Sequence, residues 1–201
     1  YYVDKTEIIY ELVHETNNKV TLFTRPRRFG KTLMMSMMEN FFSIRKDSKD
    51  IFEGLSIAKH EAFCKEWLNQ YPVLFISLKA AQADTFDDAF KMLGSAVADL
   101  CKKIPEVEAS ASVNPSDREI FNCLMYQKAE ARDIKNSLKT IMRMMHAVYG
   151  RKVILLIDEY DVPLANASEK NHAYNGFYPR MLDIIKGLMS IALKDNEFLQ
   201  F

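Results

Sequence analysis

Apolar positions along this chain recur with two alternating spacings. Ile8, Ile9, Leu12 and Val13 share one face of a helix predicted over residues 5–16, and Asn17-Asn18 reads as the turn after it. Residues 19–24 read as a first strand. Leu33, Met34, Met37, Met38 and Phe41 then form a buried stripe on a helix running from about Lys31 to Ile44. The cluster Met34, Met35, Met37 and Met38 reads as core filler rather than a metal or partner site. A helix over Lys59 to Asn69 precedes a second strand, Val73 to Leu78, whose apolar run is broken only by Ser77. Such a run suits a strand covered on both faces.

From residue 84 to about 150 the spacing is mainly helical. Thr85 and Asp88 form a capping pair ahead of Phe86, Phe90, Leu93, Val97, Leu100 and Ile104, and Pro105 ends that helix. Glu106 to Ser116 is small and polar and reads as a surface loop. Ser116 and Glu119 open a helix to about Ala131. The next carries Ile134, Leu138, Ile141, Met142, Met145 and Val148 and closes at Gly150. Lys152 to Ile157 is the third strand, and a last helix spans about Tyr178 to Leu193. Strands alternating with helices predict an α/β fold with a parallel sheet between helical layers.

Composition narrows the function classes. Lys and Arg together equal Asp and Glu at 27 each, so net charge gives no case for nucleic acid or an anionic membrane. Cys64, Cys101 and Cys123 have no metal-ligand or redox spacing and read as reduced thiols of a cytoplasmic protein. No apolar run approaches the roughly 20 residues of a membrane helix.

Two segments carry chemistry. The first is Thr24-Arg25-Pro26-Arg27-Arg28-Phe29-Gly30-Lys31-Thr32, a basic loop between a strand and an apolar helix. A phosphate loop points backbone N–H groups inward at a helix N-terminus. Gly30 allows close approach, Lys31 reaches the β and γ phosphates, and Thr32 offers a hydroxyl to magnesium. The pattern G-x-x-x-x-G-K-[ST] is met in part, because Arg25 stands at its first glycine and Pro26 lacks an N–H. Arg25, Arg27, Arg28 and Lys31 place four cations within seven residues, which offsets the missing donors. The candidate nucleotide-binding stretch is therefore Arg25, Arg27, Arg28, Phe29, Gly30, Lys31, Thr32 and Leu33, with at least one of the three arginines read as a solvated or structural ion-pair residue.

The second segment is Val153 to Ile157 followed by Asp158-Glu159. Side chains at the carboxyl end of a parallel strand face the ligand crevice. Asp158 is expected to hold magnesium together with Thr32, and Glu159 to act as general base toward water. Asp161 caps the following turn or backs the metal residue. Arg180 reads as a surface residue sooner than as an arginine finger.

Together with Tyr2-Val3-Asp4-Lys5-Thr6, Tyr71-Pro72-Val73 and Ala192-Leu193-Lys194-Asp195-Asn196, these segments resemble the bacterial AAA-ATPase-like family across the whole chain. The resemblance implies a three-layer P-loop NTPase domain of the additional-strand type over residues 1–201, ending before the sensor strand. That strand would lie between the first and third strands. It also implies ATP and Mg2+ as ligands, a possible nuclease-like domain following in the longer protein, and Asp4-Lys5-Thr6 near the adenine. The expected function is ATP hydrolysis driving a conformational change in a larger protein. The alternatives are a nucleotide-sensing module without turnover, an ATPase accessory to a nuclease acting on DNA, and a small-molecule kinase.

Overall fold

The computed structural model describes residues 3–14, 20–24, 30–170 and 176–201. Helix α1 (Glu7–His14), α2 (Lys31–Phe42), α3 (Lys49–Phe52), a 3-10 turn at Ser56–Lys59 and α4 (Glu61–Trp67) precede strand β1 (Val73–Ser77). Helices α5 (Phe86–Lys102), α6 (Pro105–Ala109), α7 (Pro115–Met125) and α8 (Ala131–Tyr149) lead to β2 (Ile154–Asp158). Helices α9 (Val162–Lys170) and α10 (Phe177–Leu193) follow. The fold is α/β, with a parallel pair in which Val73 faces Ile154 and Ser77 faces Asp158.

Period-two alternation divides the core in two. Leu74, Ile76 and Leu155 enter one apolar cluster with Leu93 and Val97 of α5, Phe121 of α7, Ile141 of α8 and Leu188 of α10. Val73, Ile154 and Leu156 enter the other with Ile9 of α1, Met34, Met38 and Phe41 of α2, and Phe63 of α4. Both faces of the sheet are therefore covered, as the unbroken apolar runs predict. Met35 and Met37 pack at the edge of the second cluster, so the methionine group is core filler. Leu33 departs from the expected stripe: at 64% exposed it points away from the core.

Local signals hold where a cap or a long amphipathic face exists. The Thr85 hydroxyl accepts from the Asp88 N–H at 3.3 Å. Gly150 ends α8 at φ 65°, a left-handed cap that glycine adopts without steric cost. Other expectations need correction. Residues 20–24 join no strand ladder, with Val20 50% and Leu22 61% exposed. A strand needs a partner edge, and one edge of β2 is taken by β1. The other is met by the C-terminal residues: the Val153 N–H donates to the Phe198 carbonyl at 2.7 Å, and the Gln200 N–H to the Val153 carbonyl at 2.8 Å.

The stretch from Glu106 to Ser116 is also not a plain surface loop. Val107 and Val113 are buried, and the Arg118 guanidinium donates to the carbonyls of Glu108 at 2.9 Å and Ser110 at 2.6 Å. Asn114, not Ser116, caps α7, accepting from the Ser116 N–H at 3.0 Å. The helix ends at Met125 and not near Ala131. Helix α9 was not foreseen. The turn at Asn17-Asn18 lies outside the described residues. Among the described residues no helix is long and apolar enough to cross a membrane.

Asp4 fixes α1 to the rest of its cluster. One carboxylate oxygen accepts from the Thr6 N–H at 2.9 Å and the Thr6 hydroxyl at 2.8 Å; the other accepts from the Ser56 N–H at 2.7 Å. Burial by itself raises the Asp4 pKa, but these donors outweigh it and hold the carboxyl well below the usual range. A depressed folded-state value stabilises above the unfolded pKa of about 4 and is lost as pH falls through the folded value. Asp4→Ala should therefore lower stability in urea denaturation at neutral pH by about 1–3 kcal/mol. The gap to the unmodified protein should begin to narrow as pH falls through about 4 and close only below the folded-state value.

Candidate functional site

Gly30 stands at φ 76°, ψ 25° immediately before α2, and the Met34 N–H donates to its carbonyl at 2.9 Å. A side chain at that left-handed position is strained, although among the described residues no atom beyond its chain neighbours and its own helix backbone lies within 4 Å of where a Cβ would stand. Helix geometry leaves the N–H groups of Lys31, Thr32 and Leu33 without acceptors in their own helix. The partial positive charge of the helix start faces the same side. Arg25, Arg27, Arg28 and Phe29, singled out from the sequence, lie outside the described residues.

The acidic segment arrives from the sheet. Asp158 is the last residue of β2 and is 5% exposed. It shares a sheet face with Ile154 and Leu156, which pack toward α2. The Thr32 hydroxyl donates to one Asp158 carboxylate oxygen at 3.0 Å, and the Glu159 N–H donates to the other at 3.0 Å. The two sequence segments therefore meet, as the pairing of the motifs requires. Among the described residues no lysine or arginine neutralises this buried carboxylate.

That donor set fits a magnesium ion. A buried, unpaired carboxylate is costly unless a cation balances it. A hydroxyl and a carboxylate at hydrogen-bond distance are hard oxygen ligands of the kind Mg2+ takes alongside phosphate and water. No group of three or more His, Cys, Asp or Glu side chains converges on a metal position among the described residues. A protein-only cage is therefore not the alternative found there.

Glu159 has φ 54°, a left-handed conformation unusual for a residue with a long side chain. It lines two cavities. The larger, 890 Å3, is bounded by Gly30, Lys31 and Thr32 on one side and by Lys79, Gln82, Asn166 and Glu169 on others. The smaller, 270 Å3, is mainly apolar and lies between residues 20–23 and β2, over Met35 and Met38. Lys31 and Asp161 border both. Asp161 also begins α9, its carbonyl accepting from the Ala165 N–H at 2.9 Å.

Several residues fall elsewhere. The Arg180 guanidinium lies 3.7 Å from the Phe86 ring centroid and pairs with Asp87 at 3.2 Å, on the surface where α10 meets α5. Cys64, Cys101 and Cys123 are free thiols, and burial pushes the Cys101 pKa up to about 12. Sequence reasoning passed over Lys79, Gln82, Asn166 and Glu169. Lys79 carried a usable signal, since it follows an apolar run at the carboxyl end of a parallel strand. Asn166 and Glu169 carried none, because the short segment holding them was assigned no element.

The family described as "Predicted AAA-ATPase" matches residues 1–201. A curated relative, the "Uncharacterized protein in vnfD 5'region" of Azotobacter chroococcum mcd 1, is 27% identical over 164 residues. The match covers 82% of this chain and 26% of the relative, so the chain spans about a quarter of that protein's length. No solved structure matches.

The strain at Glu159 can be measured directly. Glu159→Gly should be more stable than Glu159→Ala by about 1 kcal/mol in chemical denaturation, because glycine adopts this φ without the Cβ clash. Equal stability of the two variants would show a relaxed backbone there.

Proposed function

The chain belongs to the predicted AAA-ATPase family, and from that premise we propose that it is a P-loop domain binding ATP with magnesium and that the longer protein hydrolyses the nucleotide to drive a conformational change. The observation that carries this reading is the 3.0 Å hydrogen bond from Thr32 to Asp158. It joins the start of a helix, whose first amides have no acceptor in their own helix, to a buried carboxylate with no cationic partner among the described residues, beside a cavity of 890 Å3. A triphosphate with its metal supplies what both halves lack: negative charge for the amides and Lys31, positive charge for Asp158.

In this reading the amides of Lys31, Thr32 and Leu33 hold phosphate oxygens, and the Lys31 ammonium spans the β and γ phosphates. Arg25, Arg27, Arg28 and Phe29 complete the loop. Thr32 and Asp158 hold magnesium, which would offset charge on the phosphates when bound. Glu159, one residue beyond, orients a water and accepts its proton as the oxygen attacks the terminal phosphorus, while the bond from that phosphorus to the β–γ bridging oxygen breaks and ADP leaves. The left-handed turn at Glu159 is a fitting place for that role, since strained backbone concentrates where a side chain must be aimed. The sheet, helices on both of its faces and the acidic strand end together suit a three-layer P-loop NTPase domain.

Two variants of the full-length protein test the assignment. Lys31→Ala should abolish measurable ATP binding in calorimetric titration. Glu159→Gln should bind ATP with little change and lose phosphate release by about 100-fold or more. Binding without any phosphate release by the unmodified protein would instead favour a nucleotide-sensing module. Unchanged ATP affinity in Lys31→Ala would refute the site itself.

A further inference from the structure

The larger cavity extends past the phosphate loop to a second cation. Lys79 lies two residues beyond β1 and lines the same 890 Å3 space as Gly30, Lys31 and Thr32. Its side chain is exposed, yet its backbone is held tightly. Leu78 and Ala81, on either side of the Lys79–Ala80 pair, are both fully buried. The Leu78 N–H donates to the Asp158 carbonyl at 3.0 Å, which ties this segment to the strand end that carries the acidic pair. The Gln82 side chain donates to the Lys79 carbonyl at 2.7 Å, and the Ala83 N–H donates to the Asn166 side chain on α9 at 3.0 Å. A flexible ammonium stem thus leaves a fixed base on the wall of the cavity.

Neither Lys31 nor Lys79 pairs with a carboxylate among the described residues. Glu159, Asp161 and Glu169 also border the cavity, and none comes within ion-pair distance of Lys79. Two unneutralised ammonium groups on different elements, facing one polar space, suit an anion whose charge is spread over several oxygens. The phosphate loop accounts for one end of that anion; Lys79 stands on another wall of the cavity.

Resting on the nucleotide reading of this site, we infer that the Lys79 ammonium contacts the terminal phosphate and gives the site its preference for triphosphate over diphosphate. Because the Lys79 segment is hydrogen-bonded to α9 through Asn166, loss of that phosphate releases a contact on the same short segment that holds α9. Terminal-phosphate occupancy is thereby read by an element outside the phosphate loop.

The test is an equilibrium titration of the full-length protein with a slowly hydrolysed ATP analogue and, separately, with ADP, each with magnesium. Lys79→Met should weaken the triphosphate analogue about tenfold while ADP affinity stays within about twofold. Lys79→Arg should restore the preference. Retained ADP binding shows that the Lys79→Met protein is folded. Equal weakening of both ligands, or no change in either, overturns the role of Lys79 and leaves the nucleotide site standing. Failure of the unmodified protein to bind either nucleotide overturns the nucleotide reading and this inference with it.

Discussion

The buried carboxylate of Asp158 is the constraint around which the site is arranged. Its two oxygens are occupied by the Thr32 hydroxyl and the Glu159 amide, both neutral donors. Neutral donors ease the desolvation of an ion but do not cancel its charge. The strand places it there because β2 must keep its register with β1, Ser77 opposite Asp158, to bury Ile154 and Leu156 toward α2. A shift of one residue would turn those side chains to the opposite face. The packing of the sheet therefore fixes a charged group next to the start of α2, where no lysine or arginine among the described residues pairs with it.

Glu159 and the residues after β1 continue the same logic. The left-handed φ at Glu159 turns the chain sharply away from the sheet, so Asp158 and Glu159 face different directions. The Glu159 carbonyl then accepts from the Val162 N–H at 3.2 Å as α9 begins. Helix α9 in turn holds residue 83 through Asn166, and Leu78 holds the end of β2. The segment after β1, the turn after β2 and α9 thus form a closed ring of hydrogen bonds around one side of the larger cavity. That ring gives polar side chains with solvated heads a defined origin.

The sequence was legible where a single local rule decides the outcome. Long amphipathic faces gave α5, α8 and α10, and uninterrupted apolar runs gave β1 and β2 covered on both sides. The Thr32–Asp158 contact was legible because it follows from two motifs with complementary needs. What was misread depended on partners distant in sequence. Residues 20–24 have strand-like composition, yet both edges of β2 are met by other segments. Val107 and Val113 look incidental in a polar stretch, and their burial depends on Arg118 tying the carbonyls of Glu108 and Ser110. Helix α9, at nine residues, is too short for its periodicity to stand out.

The two halves of the site are joined unequally. β1 and β2 share a ladder, and the segment after β1 is hydrogen-bonded to the end of β2. Residues 20–23 are separated from β2 by the apolar cavity of 270 Å3. On that side the described link is the packing of α2 against β2 plus the Thr32 hydroxyl on Asp158, and a single hydrogen bond contributes on the order of 1 kcal/mol net. Such a link is weak enough to be exchanged for stronger ones. A ligand that engages the α2 amides, Lys31 and Asp158 together would replace one neutral contact with several charge-assisted ones, each about twice as strong. The position of the α2 start relative to the acidic pair is therefore the degree of freedom that nucleotide binding, on the proposed reading, would restrict first.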